Sequence, residues 1–379
     1  MGWRFSERAG AEEILQPVLA QSSKPIFLKT NELISSGGES VSPKGLAGAR
    51  KGVGYVEALD PLRGVAALAV AFFHFACNGW VPLDGWVARW GYYGHLGVHA
   101  FLVISGFVVP YSMWGGGYRV SDFLPFVGRR LTRIYPPFLV SVVLMGMSNR
   151  WWPSGDLGPM SGGDLLAHLF FLNDLLGRPW LIAVYWTLAL EVQFYLFVGL
   201  AWRWVASGSS WVFGSGAALG VWAGLIFSGQ GWLLGKFAYF LLGMALFRQH
   251  VRLDSPVVSG GFLLGLLGVI GCRDGWVVFM VVGLPVAAKL LAPPVPVGGR
   301  FLGKISYSLY LFHLLTGMVF LNVLGPWVSS VFWRSWLILP ALGISVAGAW
   351  LAFVILEKPA IRWSRMFAYR GDGVKGQGG

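Results

Sequence analysis

Ten apolar segments follow one another along this 379-residue chain, and each approaches the length that a helix needs to cross a lipid bilayer. Only 12% of the residues are charged, whereas an ordinary soluble protein carries about a quarter. A soluble globular enzyme is therefore excluded. The sequence predicts an all-α polytopic membrane helical bundle of about ten transmembrane helices, over residues 60–80, 95–115, 131–148, 185–206, 210–228, 231–248, 256–271, 276–292, 301–324 and 335–356.

The apolar segments lie within one predicted membrane domain, residues 55–360. Residues 1–54 are polar and lack the apolar run of a signal peptide, so they are predicted to form a disordered tail. Residues 361–379 form a second, basic tail. One long loop, 149–184, separates the third segment from the fourth, and its stretch 163–174 is predicted to form a helix on the membrane surface.

Lysine and arginine indicate the orientation, because cytoplasmic loops carry an excess of both. With ten spans, most of the 29 such residues fall on the side of the two termini. Both termini are therefore predicted to be cytoplasmic, in a multi-pass protein of the cell (inner or plasma) membrane. This asymmetry also explains the net charge of +12, so no nucleic-acid partner is predicted.

Three ionisable residues lie inside apolar segments, where such groups are costly and mark functional sites by default. They are His74 in the first segment, Glu191 in the fourth and His313 in the ninth. At a rise of 1.5 Å per residue, each lies roughly 20 Å from the cytoplasmic side, so we expect three proton-handling groups at one level. A hydrogen bond between helices would also explain His313, and a structural ion pair would also explain Glu191.

Arginines at the predicted cytoplasmic ends of the spans could hold phosphate groups, which guanidinium groups bind bidentately. Arg63 precedes His74 by eleven residues, which places the two only about 20° apart around a helix, with small side chains between them. That stripe could leave room for a slender ligand. Arg130 and Arg133 share one helical face, and the proline pair 136–137 is expected to interrupt the helix just beyond them. Topology alone would also place arginines at these ends.

The two cysteines point to neither a disulfide framework nor a metal site. Cys77 and Cys272 are too few for the first and lack the spacing of the second, so no metal is predicted. A single bridge between them is compatible with the sequence. No pattern in the sequence indicates a protein partner.

Five short blocks stand in one order over about residues 55–360. Together they resemble acyltransferase family 3, an integral-membrane family that includes bacterial O-acetyltransferases of surface polysaccharides. The blocks are Asp60-Pro-Leu-Arg63-Gly64 with His74, GVHAFLVISGF at 97–107, Arg130-Leu-Thr-Arg133 with Tyr135-Pro136, WTLALEVQFYL at 186–196, and ISYSLYLFH at 305–313.

The resemblance implies transfer of an acyl group, usually acetyl, from cytoplasmic acetyl-CoA or another acyl-CoA to a hydroxyl of a carbohydrate or glycolipid acceptor. It implies that His74 acts as general base on that hydroxyl or is transiently acylated, with Glu191 orienting the imidazole. The other implied site residues are Arg63, Arg130 and Arg133 for the CoA phosphates, with Asp60, Ser306, Tyr307 and His313 in support.

Other functions are compatible with the same residues. A proton-coupled transporter or flippase of a polar or glycosylated substrate would also use buried His and Glu, although the two halves of the chain show no convincing repeat. A non-catalytic scaffold is a third hypothesis. Acceptor selectivity is expected from the loop 149–184, whose tryptophans Trp151, Trp152 and Trp180 suit stacking on a sugar ring or anchoring at the interface.

Overall fold

All regular elements that the computed structural model describes are helical, and no strand occurs among the described residues. The predicted all-α fold is therefore confirmed. The predicted tail 1–54 lies outside the described residues, as does most of the tail 361–379. The structure describes residues 59–151, 161–182, 184–227, 232–291, 297–367 and 369.

A helix stands at each of the ten predicted apolar segments, as expected for runs that satisfy every backbone polar group internally. These helices are α1 (Asp60–Ala76), α2 (Gly97–Gly115), α3 (Phe123–Trp151), α4 (Tyr185–Leu200), α5 (Ser210–Ile226), α6 (Leu233–His250), α7 (Pro256–Asp274), α8 (Trp276–Leu291), α9 (Val297–His313) and α10 (Ile338–Ala352).

Five helical stretches are long and apolar enough to cross a membrane, and α4, α5 and α8 are shorter apolar helices. The chain is therefore a helical membrane protein, while the count of ten spans and the cytoplasmic termini stay predictions. Cys77 and Cys272 are free thiols, so no bridge joins them. The five stretches are Trp86–Gly115, Val120–Ser148, Pro256–Asp274, Gly298–Trp327 and Val331–Ser364.

Helix α6 lies inside the bundle, and 14 of its 18 residues are buried. A helix that is apolar on every side belongs in such a position. It packs on α2 with the two backbones in contact, because a Cβ built on Gly243 would lie 2.7 Å from the backbone of Gly106. Small residues permit this approach between helices in lipid.

Helices α1 and α9 are in equally close contact. A side chain on Gly64 would overlap Leu302, and a Cβ on Gly303 would lie 2.6 Å from the Cβ of Asp60. Because the helices touch here near their starts, and the rings of His74 and His313 are in contact near their ends, α1 and α9 run parallel. Each carries one of the predicted histidines near its other end.

The proline pair 136–137 does not end the third helix, contrary to the prediction, and α3 continues to Trp151. A proline nitrogen has no hydrogen to donate, so the carbonyls of Thr132 and Arg133 lose their usual helical partners. The hydroxyl of Tyr307 on α9 donates to the next carbonyl, that of Ile134, over 2.7 Å. A hydrogen bond from α9 therefore stabilises α3 at the point where α3 lacks two of its own backbone hydrogen bonds.

The loop between α3 and α4 contains one described helix, Gly162–Leu169, shorter than the predicted 163–174. Ser161 caps it by accepting from the backbone N–H of Asp164. Phe171 then adopts a left-handed backbone with φ of 55°, which ends the helix. The ring of Phe171 packs against Phe138 of α3. Trp152 lies outside the described residues.

His168 is buried within this loop and connects its helix to the segment before α4. It is 1% exposed, its Nδ1 donates to the carbonyl of Asp164 over 2.7 Å, and its Nε2 accepts from the N–H of Leu181 over 2.7 Å. Only a neutral imidazole offers one donor and one acceptor in this way. Burial lowers the pKa of His168 below its usual value, and the carbonyl of Asp164 opposes this shift.

We expect Gly243→Ala to destabilise the protein by about 1–3 kcal/mol, because the new methyl group would force α2 and α6 apart. Gly265→Ala on α7 is the matched control, since that position has open space around it. Thermal unfolding of the detergent-solubilised variants, followed by tryptophan fluorescence, measures the difference. Equal midpoints for the two variants would contradict the packing.

The loop should lose stability as the pH falls below about 6.5. The pKa of His168 is lowered in the folded loop, so the unfolded loop binds more protons at acidic pH and the stability present above about 6.5 is lost on acidification. Hydrogen–deuterium exchange of amides 162–182 between pH 7.5 and pH 5, corrected for intrinsic rates, measures this. His168→Asn should remove the pH dependence, and an unchanged profile in that variant would contradict the assignment.

Candidate active site

A cavity of about 100 Å³, mostly apolar in its lining but with charged groups at one part of the wall, lies among α1, α2, α3, α4, α6 and α9. Six of the residues singled out in the sequence line this cavity, although they come from four helices. They are Arg63, Arg130, Arg133, Glu191, Ser306 and Tyr307. With three arginines and one glutamate, the charged part of the lining has an excess of positive groups.

Arg130 is held by both a hydrogen bond and two aromatic rings. Its Nη2 donates to the hydroxyl of Ser112 on α2. Its guanidinium carbon lies 5.5 Å from the ring centroid of Tyr195 and 5.7 Å from that of Phe126. Stacking of this kind suits the planar, weakly hydrated guanidinium group. The side chain is thus positioned before any ligand arrives.

Arg133 lies beside a carboxylate that the sequence analysis missed. Its Nη2 is 3.9 Å from Oε1 of Glu357, which is 1% exposed. The hydroxyl of Ser308 on α9 donates to Oε2 of Glu357 over 2.7 Å. Glu357 stands one residue beyond the last predicted segment, so it looked like an ordinary flanking charge. It ends a π-helical turn, Phe353–Glu357, a distortion that is frequent at functional sites.

Glu191 lies with the arginines. Its Oε1 accepts from the hydroxyl of Tyr195, one turn along α4. Thr187, one turn the other way, is 2.8 Å from the hydroxyl of Tyr310, which itself precedes His313 by one turn. From this contact, Glu191 is four residues away on α4 and His313 three residues away on α9, in opposite directions. The two groups are therefore roughly 10 Å apart in depth, and Glu191 does not lie at the single depth expected for the three ionisable residues. That Glu191 orients His74 stays a prediction.

The two predicted histidines, by contrast, are neighbours. The ring centroids of His74 and His313 lie 5.2 Å apart, with 36° between the ring planes. Nδ1 of His313 lies 3.1 Å from the carbonyl oxygen of Leu309 and 2.9 Å from that of Tyr310, so this nitrogen carries the hydrogen. Nε2 is then a buried lone pair with no partner among the described residues. Nε2 of His313 is therefore a proton acceptor, and its ring lies next to that of His74.

The stripe of α1 between Arg63 and His74 is closed. Ala67, Val70 and Ala71 are each at most 1% exposed, so no slender ligand fits along them. The cavity extends along another wall instead, past Phe101 and Leu188 to Tyr310, one turn from His313. Asp60 is buried at the start of α1 and is not part of the cavity lining.

Comparison with known proteins decides the family. The model of the acyltransferase domain of family 3 matches residues 56–354. The chain belongs to this family. It is therefore an acyltransferase, which disfavours the transporter and scaffold hypotheses. It is also 26% identical over 287 residues to "Putative acetyltransferase ORF330" of Acidianus two-tailed virus, covering 69% of this chain and 83% of the viral protein. No solved structure matches the chain significantly.

This acyltransferase has five polar lining or neighbouring residues that were not singled out in the sequence. Tyr195 and Thr187 stand one turn on either side of Glu191, a spacing that puts all three on one helical face. That spacing was the available signal, but tyrosine and threonine in an apolar helix are more often packing residues. The five are Ser105, Thr187, Tyr195, Tyr310 and Glu357.

Proposed function

We propose that this protein is a membrane-bound O-acyltransferase that moves an acetyl or other acyl group from acyl-CoA to a hydroxyl of a carbohydrate or glycosylated acceptor. One observation carries the proposal. A cavity lined by three arginines extends to within one turn of a pair of imidazoles, so a phosphate-bearing donor bound at the arginines would direct its acyl end towards a base.

The donor is inferred from charge and shape. Arg63, Arg130 and Arg133 face two carboxylates, Glu191 in the lining and Glu357 beside Arg133, which leaves an excess of one positive charge for the phosphates of CoA. Guanidinium forks bind phosphate oxygens bidentately, which a lysine ammonium does not. The apolar wall around Phe101 would accommodate the acyl-bearing arm. Family 3 membership supports acyl transfer as the reaction.

The histidines supply the base that the reaction requires. A sugar hydroxyl is a poor nucleophile, and positioned proton transfer typically accelerates such a step by about 10²–10⁴. In the direct route, the hydroxyl oxygen attacks the thioester carbonyl while its proton passes to an imidazole nitrogen. The carbon–sulfur bond breaks, and the CoA thiolate leaves and takes up a proton. In the alternative route, a nitrogen of His74 first displaces CoA and then passes the acyl group to the hydroxyl.

His74→Ala should lower acyl transfer by at least about 100-fold while the protein inserts at normal levels. His313→Gln should lower it by a similar factor, because it replaces the basic nitrogen Nε2 with an amide that does not take up a proton. Acyl-CoA consumption by the purified protein in nanodiscs, with a mixture of cell-surface glycans as acceptor, measures both. His250→Ala is the control, since His250 packs on Tyr111 outside the cavity. Normal product formation by His74→Ala would overturn the assignment, and an acylated His74 in the intact protein would select the second route.

Arg63→Gln and Arg133→Gln should each raise the KM for acyl-CoA by about tenfold, because a charge-assisted hydrogen bond to phosphate is lost. A donor that lacks the 3′-phosphate should lose less affinity on one of these substitutions. Arg203→Gln is the matched control, because Arg203 is exposed and outside this cavity. Equal KM values in all variants would contradict donor binding by these arginines and leave membrane topology as the explanation of their positions.

A further inference from the structure

A second polar cluster lies near the His74 end of α1, and the proposed mechanism does not use it. It comprises His99 of α2, Lys236 and Tyr239 of α6, and Arg273 and Asp274 at the end of α7. Tyr239 is fully buried, and its ring is at the centre of the cluster, with Lys236 and Arg273 both close to it. The ring of His99 lies against it, with centroids 4.7 Å apart.

The cluster carries more positive charge than it neutralises. Asp274 accepts from the hydroxyl of Tyr239 over 2.7 Å and forms an ion pair with Arg273 over 2.7 Å. Lys236 forms no ion pair among the described residues, and its Nζ lies 5.8 Å from the ring centroid of Tyr239. The ammonium of Lys236, which is half-buried in the first turn of α6, thus has no carboxylate of its own.

His99 adds an open hydrogen-bonding position. Its Nδ1 is buried and has no partner among the described residues. Buried polar atoms are satisfied in most proteins, so this nitrogen, which lies at the same Tyr239 ring as the ammonium of Lys236, is suited to bind a polar ligand group. Because the surplus charge is positive, that group is an anion.

Rings connect the cluster to His74. The centroids of His99 and His95 lie 6.4 Å apart, those of His95 and Phe73 5.6 Å, and those of Phe73 and His74 4.9 Å. Tyr92, which is 57% exposed, packs its ring on His95 at 4.8 Å. Aromatic and imidazole rings of this kind offer flat faces for a sugar. A molecule bound at Lys236 could therefore extend along this wall towards His74.

We propose that His99, Lys236 and Arg273 form the acceptor subsite and that the acceptor is a sugar bearing an anionic group, a carboxylate or a phosphate. This inference rests on the proposed function, since it names the substrate class that receives the acyl group. The ammonium of Lys236 and the imidazole of His99 donate to the anion. Arg273, already paired with Asp274, lies over the ring of Tyr239 with its guanidinium carbon 5.5 Å from the centroid, so its positive charge is close to the same position.

The test measures binding without catalysis. The His74→Ala protein in nanodiscs is titrated with methyl glucuronide, glucose 6-phosphate and methyl glucoside, and binding is followed by saturation-transfer NMR. We expect at least one anionic sugar to bind about tenfold more tightly than methyl glucoside. Preference for the carboxylate or for the phosphate identifies the source of the charge, and either supports the subsite. Equal binding of all three sugars, or no binding of the anionic ones, overturns it.

Variants locate the site. Lys236→Met should weaken binding of the preferred anionic sugar by about tenfold, and His99→Phe should weaken it by a smaller factor. Lys289→Met on α8 is the control, because Lys289 lies outside the cluster. Unchanged affinity in Lys236→Met overturns the subsite.

CoA binding and acyl transfer, measured in the same preparations with His74 restored, separate the two proposals. If transfer fails while Lys236→Met still loses the anionic sugar, the subsite stands and the proposed reaction is wrong. If His74-dependent transfer occurs while Lys236→Met binds and acylates anionic sugars normally, the reaction stands and the subsite is wrong.

Discussion

The parallel backbone contact between α1 and α9 is the constraint on which the rest of the site depends. Gly64 and Gly303 let the two helices touch near their starts, in an environment where apolar burial gives helices little reason to associate. Because the helices are parallel, Arg63 and Ser306 share one cavity at that end, while His74 and His313 meet at the other. A bulkier residue at either glycine would separate both pairs together.

Charged side chains that have hydrogen-bond or ion-pair partners inside the protein can be distinguished from those that have none and can bind a ligand. Arg248 is fully buried, forms two hydrogen bonds to Asp254 of 2.8 and 2.6 Å, and donates to two carbonyls in the α4–α5 connection, so it is a structural staple. Glu357 is likewise held by Ser308 and Arg133. Lys236 and Nδ1 of His99 have no such partners among the described residues, which is the basis of the proposed acceptor subsite.

Hydropathy located every principal helix, because a membrane helix must be a long apolar run whatever its neighbours are. It could not locate what depends on packing. The stripe from Ala67 to Ala71 looked open but is filled by neighbouring helices, and Glu191 lines the same cavity as the arginines, which depends on how α4 packs against α1 and α3. Glu357 was missed because a carboxylate at the end of an apolar run has the same sequence pattern whether it faces water or an arginine.

The two proposed sites approach His74 by different routes. Arg63 in the arginine cavity is eleven residues, or roughly 16 Å, from His74 along α1, whereas the ring contacts from His99 reach His74 through His95 and Phe73. A donor and an acceptor could therefore bind from different ends and meet at His74, and only the acyl group would travel. Such a mechanism does not require the alternating rearrangement of a transporter. It suits a bundle whose central helices touch backbone to backbone at Gly243 and Gly303, because contacts of that kind hold helices in one arrangement.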